Sequence, residues 1–168
     1  VTQTYECRQA PIAMINCFYP AVVFEANPAF AQRDTDDPVA LHVDTSNIRF
    51  EPGPDAANSF VVSLTIRLSW PDEAVPPYRN AWLEAVGTFQ VAPGLPPAAF
   101  EKHRALSGPS MLYSSAREYV KLITLNGPWG GVMLPGLVFQ EAVGVETGPV
   151  GVGAETGRKR GRPVKARK

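Results

Sequence analysis

Eleven consecutive residues, Phe60 to Trp70, alternate almost without error. Phe60, Val62, Leu64, Ile66, Leu68 and Trp70 hold every second position, Ser63, Thr65, Arg67 and Ser69 stand between them, and only Val61 breaks the polar set. Side chains switch faces at each step of a strand, whereas a helix returns to one face every three or four residues, so this stretch cannot be a helix face. It predicts a strand with one dry side and one wet side. Such strands belong to an antiparallel sheet covered on one face by another layer.

The neighbouring segments supply the partners. Ala81, Leu83, Ala85, Gly87, Phe89 and Val91 share one face of a further strand. Three of the six are small, which permits close approach of another layer. With Leu83 among them, Ala81, Ala85 and Gly87 are read as a contact between subunits. Ile12 to Phe24 predicts one broken strand or a strand pair, since Ile12, Met14, Ile15, Cys17, Phe18 and Tyr19 leave both faces apolar before Pro20 interrupts the ladder. Val39, Leu41 and Val43 begin a half-buried strand whose register is lost by Ile48. Between these two lies a polar crossover, Asn27 to Pro38, and Glu51-Pro52-Gly53-Pro54-Asp55 forms a turn.

After Val91 the period changes. Pro97 to Leu106 predicts a short helix ended by Ser107-Gly108-Pro109. A second helix starts at Ser110 as N-cap, with Leu112, Ala116, Tyr119, Val120 and Ile123 along one stripe, and stops at Gly127-Pro128. Trp129 to Phe139 is apolar but cut by Gly130-Gly131 and Pro135-Gly136, an irregular packed segment. Four strands followed by helices define an α+β class: a four-stranded antiparallel sheet with helices packed on one face. Three regions result. Residues 1–140 form the domain, 141–157 a Gly-rich flexible linker, and 158–168 a basic tail.

The residues argue against catalysis and metal binding. His42 and His103 have no neighbouring ligand pair, and Cys7 and Cys17 lack a CxxC spacing. Asp34-x-Asp36-Asp37 lacks the glycine and distal glutamate of a calcium loop and reads as solvated. No G-x-S-x-G elbow occurs, and the glycines at 148–157 open no helix, so no phosphate loop is formed. Neither catalytic residues nor a cofactor are expected. No run of apolar residues is long enough to span a bilayer, and two cysteines suit a reducing cytoplasm. Val1-Thr2-Gln3-Thr4 shows no leader pattern, and its start at Val implies missing leading residues.

The formal net charge of +0 conceals an asymmetry. Seven of the 16 cations lie in residues 158–168, leaving nine against 16 carboxylates, a formal −7, over residues 1–157. Within the tail, Lys159-Arg160-Gly161-Arg162-Pro163 followed by Lys165 resembles an AT-hook. In that motif two arginines enter the negative minor groove of A·T-rich DNA and glycine allows the backbone to approach its floor. The lysines would meet phosphates.

Taken in order, the elements resemble the bacterial export chaperone SecB and its SecB-like relatives. Tyr19-Pro20-Ala21-Val22-Val23-Phe24-Glu25 is similar to the end of the family's first strand, Val39 to Asp44 to its second, and Gly87-Thr88-Phe89 to its G-x-F pattern. Ala116-Arg117-Glu118 resembles the family's A-R-E helix, and Met133-Leu134-Pro135 with Leu137-Val138-Phe139 the L-x-P-x-x-F stretch that follows. The resemblance implies a SecB-like homotetramer, a dimer of dimers, that binds unfolded polypeptide in apolar grooves without nucleotide. Phe30, Tyr113, Tyr119 and Trp129 are the aromatic candidates for such a groove. Two departures stand out. The family continues into a second long helix where this chain turns Gly-rich at Glu141, and of two acidic positions used to dock the SecA motor, Glu25 matches one while Ala21 occupies the other. The second departure argues against SecA docking. Two functions are implied: an ATP-independent holdase whose tail contacts DNA, or a DNA-associated architectural or regulatory protein using the body as an oligomerising scaffold.

Overall fold

The computed structural model describes residues 10–30, 40–71 and 75–140. Four strands, β1 (Ile12–Ala26), β2 (His42–Pro52), β3 (Ser59–Ser69) and β4 (Tyr78–Val91), form one antiparallel sheet in the order β1-β4-β3-β2. A short helix α1 (Pro97–Lys102), a π-helical turn (His103–Ser107) and the long helix α2 (Gly108–Leu125) come next along the chain. The α+β expectation holds, with α2 as the main cover of one sheet face. The linker 141–157 and tail 158–168 lie outside the described residues.

The alternation in β3 is realised in full. Phe60, Val62, Leu64 and Ile66 are all buried against the helix, while Arg67 and Ser69 are exposed. In β4, Ala81, Leu83, Ala85, Gly87, Phe89 and Val91 are likewise buried, and Trp82, Glu84, Val86, Thr88 and Gln90 half-line the open face. Here the intersubunit expectation needs correction. The layer that approaches Ala81, Leu83, Ala85 and Gly87 is the chain's own α2: a Cβ on Gly87 would stand 3.0 Å from Leu112 Cδ1. Gly108 does the same from the helix side, where a Cβ would come within 2.8 Å of Phe60. Leu112, Ala116, Val120 and Thr124, spaced one turn apart, form the buried stripe.

Two strands carry bulges, and these account for their ambiguous patterns. In β1 the register shifts between Met14 and Asn16 and again between Phe18 and Ala21. Each extra residue flips the parity of the strand beyond it. The covered face therefore takes Ile12 and Met14, then Cys17 and Tyr19, then Val22 and Phe24. In β2 a shift between Asp44 and Asn47 moves the packed set from Val43 to Ile48 and Phe50, so the strand extends to Pro52. Asp44 Oδ1 accepts from Ser46 N at 2.8 Å and supports that bulge.

Ser107-Gly108-Pro109 does not stop the helix. Pro109 falls in the first turn of α2, where its missing N–H and fixed φ are tolerated. The π-helical turn before it carries the chain on from α1. Ser110 is no N-cap; its hydroxyl donates to Leu106 O at 2.7 Å inside the continuous helix.

Leu83 is fully buried between the sheet and its own helix. Leu83→Ala should therefore lower unfolding free energy by about 2–4 kcal/mol in urea titrations. Light scattering should find the oligomeric state of the folded variant unaltered. Dissociation without loss of monomer stability would restore the subunit-contact reading.

Candidate functional site

An aromatic group collects at the end of the sheet where β1 leaves and β4 begins. The chain turns there on Asn27, which is buried and fully used. Its N–H donates to Pro77 O at 2.9 Å and its Nδ2 to Pro76 O at 2.9 Å. Its Oδ1 accepts from Ala29 N at 3.1 Å and Arg79 Nε at 3.3 Å. Phe30 N then donates to Asn27 O at 3.1 Å, closing the turn. Phe30 thus emerges at a fixed place, edge-on to Trp129, with ring centroids 5.2 Å apart. At the start of β4, Tyr78 takes Phe24 edge-on at 5.6 Å, and Trp70 lies tilted by 30° at 6.2 Å.

Trp129 is held from the helix side. Thr124 Oγ1, buried near the end of α2, donates to Val120 O at 2.7 Å and accepts from Val132 N at 2.8 Å. Gly127 N donates back to Thr124 O at 2.9 Å, and Gly130 adopts φ +78°, a conformation glycine takes without strain. These bonds turn the chain sharply around Trp129. Nearby, the outer side of α2 and the segment after it leave Leu122, Leu125 and Met133 more than half exposed. Exposed large apolar side chains of this kind suit an apolar partner.

Three buried polar atoms have no hydrogen-bond partner among the described residues: Tyr78 Oη, Trp129 Nε1 and Arg117 Nε. The first two belong to this aromatic end. Burial pushes the Tyr78 hydroxyl above its ordinary pKa, so it stays protonated and remains a donor.

Of the four aromatic candidates, Phe30 and Trp129 meet each other, whereas Tyr113 and Tyr119 are not part of the pair. Tyr113 is core. Its hydroxyl donates to Pro135 O at 2.8 Å, its ring meets Phe139, and together these strap the Leu134–Phe139 segment onto the helix. Tyr119 stacks on Tyr19 of β1, with centroids 4.0 Å apart and planes 7° from parallel. Tyr19 and Ser115 share a hydrogen bond at 3.0 Å, and Ser115 Oγ donates onward to the Cys17 sulfur at 3.7 Å. Glu25 is exposed on the open sheet face opposite Asn80. Ala21 on the same face pairs with Glu84, whose carboxylate is already engaged by Arg49 at 3.4 Å. The six tail residues Lys159, Arg160, Gly161, Arg162, Pro163 and Lys165 lie outside the described residues, as do Cys7 and the Asp34–Asp37 group.

Other candidate chemistry is thin. Among the described residues no three His, Cys, Asp or Glu side chains gather as metal ligands, and no helix is long and apolar enough to cross a membrane. His103 Nδ1 shares a 3.0 Å hydrogen bond with Ser107, and His42 is exposed. A cleft between α1 and the β2–β3 turn is lined by Glu51, Ser59, Phe60, Phe100, Glu101 and Arg104. Its cation is occupied: Arg104 bonds Glu101 at 3.2 Å and lies over the Phe50 ring. Sequence reasoning missed Tyr78 and Phe24. Tyr78 opens a strand next to Pro76-Pro77, where alternation gives no hint of which way it faces.

The fold is SecB-like. A SecB-like chaperone of Mycobacterium tuberculosis, solved in complex with a ChAD peptide from the HigA1 antitoxin, superposes with TM-score 0.53 at 16% identity, covering 76% of this chain and 88% of that one. A Streptococcus agalactiae protein of unknown function gives TM-score 0.39 at 11% identity, over 74% of this chain and 96% of that one. No family model and no curated protein sequence matches the chain.

The Tyr19 contacts carry a pH signature. Burial, only partly offset by the Ser115 hydrogen bond, pushes the Tyr19 hydroxyl up to about 12. The unfolded chain ionises near pH 10 and the folded one resists, so the stability is intact below about pH 10 and lost between there and about 12. Thermal melts should fall over that window, and Tyr19→Phe should flatten the fall while costing about 1 kcal/mol at neutral pH. An unchanged alkaline slope in Tyr19→Phe would contradict this assignment.

Proposed function

We propose that this protein is an ATP-independent holdase that binds unfolded or non-native polypeptide along the apolar surface running from the Phe30–Trp129 pair. It would act in the cytoplasm as a homotetramer, without cofactor, metal or catalysis. The observation that carries the reading is the SecB-like fold, shared with a chaperone that was solved holding a peptide. Supporting it, the aromatic end of the sheet and the exposed Leu122, Leu125 and Met133 offer apolar surface. Non-native chains present what folded ones hide: apolar side chains and unpaired backbone groups.

Phe30→Ala should leave the fold intact, because Phe30 sits at the rim after the Asn27 turn. It should weaken binding of a reduced, unfolded client by about ten-fold, the usual cost of truncating an aromatic anchor. Aggregation-suppression and anisotropy titrations measure this. Full activity in Phe30→Ala would move the groove elsewhere.

A second activity is favoured by the Arg160-Gly161-Arg162-Pro163 core in the tail. Four tails on one tetramer would engage a single A·T-rich duplex together, since linked weak sites gain by effective concentration. Removing residues 158–168 should abolish salt-sensitive DNA binding in anisotropy titrations while holdase activity survives. Arg162→Ala should erase the preference for A·T over G·C duplexes, and Lys165→Ala should weaken both equally. Loss of holdase activity with the tail would favour the DNA-architectural alternative, in which the body is only a scaffold.

A further inference from the structure

The two rings of the Phe30–Trp129 pair are held by different means. Trp129 packs against the buried core, whereas Phe30 is half-buried and lies outside it. What places Phe30 is therefore its backbone turn. Two bonds of that turn are main-chain: Asn27 N donates to Pro77 O, and Phe30 N donates to Asn27 O. Three more come from one side chain. The Asn27 amide, 6% exposed, donates from Nδ2 to Pro76 O at 2.9 Å and accepts at Oδ1 from Ala29 N at 3.1 Å and Arg79 Nε at 3.3 Å. These partners lie on the turn itself, on the connection before β4 and on β4. A carbonyl on one side and two donors on the other suit a short amide. Aspartate would set a carboxylate oxygen against Pro76 O, and leucine would meet none of the three.

We infer that Asn27 is a positioning residue of the peptide site: its amide fixes the turn from which Phe30 reaches Trp129, and it acts on bound polypeptide only through Phe30. The inference rests on the proposed peptide binding and names the device that sets that site's geometry. The bond from Ala29 N to Oδ1 closes an Asx turn, and the bonds to Pro76 and Arg79 tie this turn to the strand beside it. A ring already in place loses little freedom when a client arrives. One carried on a loose turn must be ordered at that moment, and affinity falls accordingly. Without the amide, the main-chain bonds to Pro77 O and from Phe30 N remain, so the turn loosens while the sheet and its helix stay assembled.

The experiment is a double-mutant cycle on the full-length chain, with wild type, Asn27→Ala, Phe30→Ala and the double variant. Each is titrated by anisotropy against fluorescein-labelled, reduced and carboxymethylated α-lactalbumin, below its own melting temperature. Asn27→Ala should bind about three- to ten-fold more weakly, at most the loss shown by the ring it places. The double variant should bind no more weakly than Phe30→Ala alone, because the amide has nothing left to position. Asn27→Ser, whose hydroxyl keeps a weaker acceptor for Ala29 N, should recover part of the affinity. Should Asn27→Ala fail to fold, Asn27→Ser takes its place in the cycle with the same non-additivity expected. Leu83→Ala, which destabilises the core without touching the turn, should bind as the wild type does. Losses that multiply in the double variant overturn the inference, as does an equal loss in Leu83→Ala. Wild-type affinity in Asn27→Ala, with Phe30→Ala impaired, overturns it and leaves the peptide-binding reading intact. Failure of the wild type to bind the client removes that reading, and the inference with it.

Discussion

The close seating of α2 on β3 and β4 is the constraint on which the other features depend. It needs missing side chains on both surfaces: Gly87 makes room for Leu112, and Gly108 makes room for the Phe60 ring. With the helix this near, Leu64, Ile66, Leu83 and Val120 lose contact with water altogether. Close packing of this kind tolerates neither added nor removed methylenes well. It also fixes where α2 ends, and hence where Trp129 is delivered relative to Phe30.

The sheet's two faces have been put to different uses. One is sealed by the helix. The other is a half-exposed surface of Val61, Val86, Thr65 and Thr88 with the Arg49–Glu84 pair across it and Glu25 at the β1 edge. The edges differ as well. β2 is polar and bulged at its exposed positions, whereas β1 offers Ile15 and Phe18 to solvent and carries a single charge, Glu25. Edge strands without charges invite pairing with another chain.

The sheet is legible in the sequence where alternation is undisturbed. β3 and β4 announce their faces because no residue is inserted in either, and the change of period after Val91 marks the helices. β1 and β2 are blurred by the same physical event: a bulge flips parity, so a strand that buries one face looks apolar on both. Propensity alone places a helix break at Ser107-Gly108-Pro109, and packing overrides it. Gly108 is there for contact with Phe60, and Pro109 sits where a helix accepts it. The small residues of β4 correctly signal a close layer, but they cannot say whose helix forms it. At the candidate site, resemblance points to Phe30 and Trp129, while their meeting depends on Asn27 bonds to Pro76 and Pro77 that no local pattern encodes. Tyr113 and Tyr119 both lie on α2, yet one is spent on Pro135 and the other on Tyr19.

The strand order has a consequence for how the chain is born. Among the described residues β1 pairs with β4 alone, so Ile12 has no partner there until Val91 exists. During synthesis at about 5–20 residues per second, β1 must wait for β4 on the order of several seconds, longer than any hairpin takes to close. The turn between β2 and β3 joins near neighbours, and β3, β4 and α2 complete one another soon after they emerge. β1, with its bare Ile15 and Phe18, can join the sheet only once β4 has been made. A chain proposed to shelter the unfinished segments of other proteins thus begins with an unfinished segment of its own.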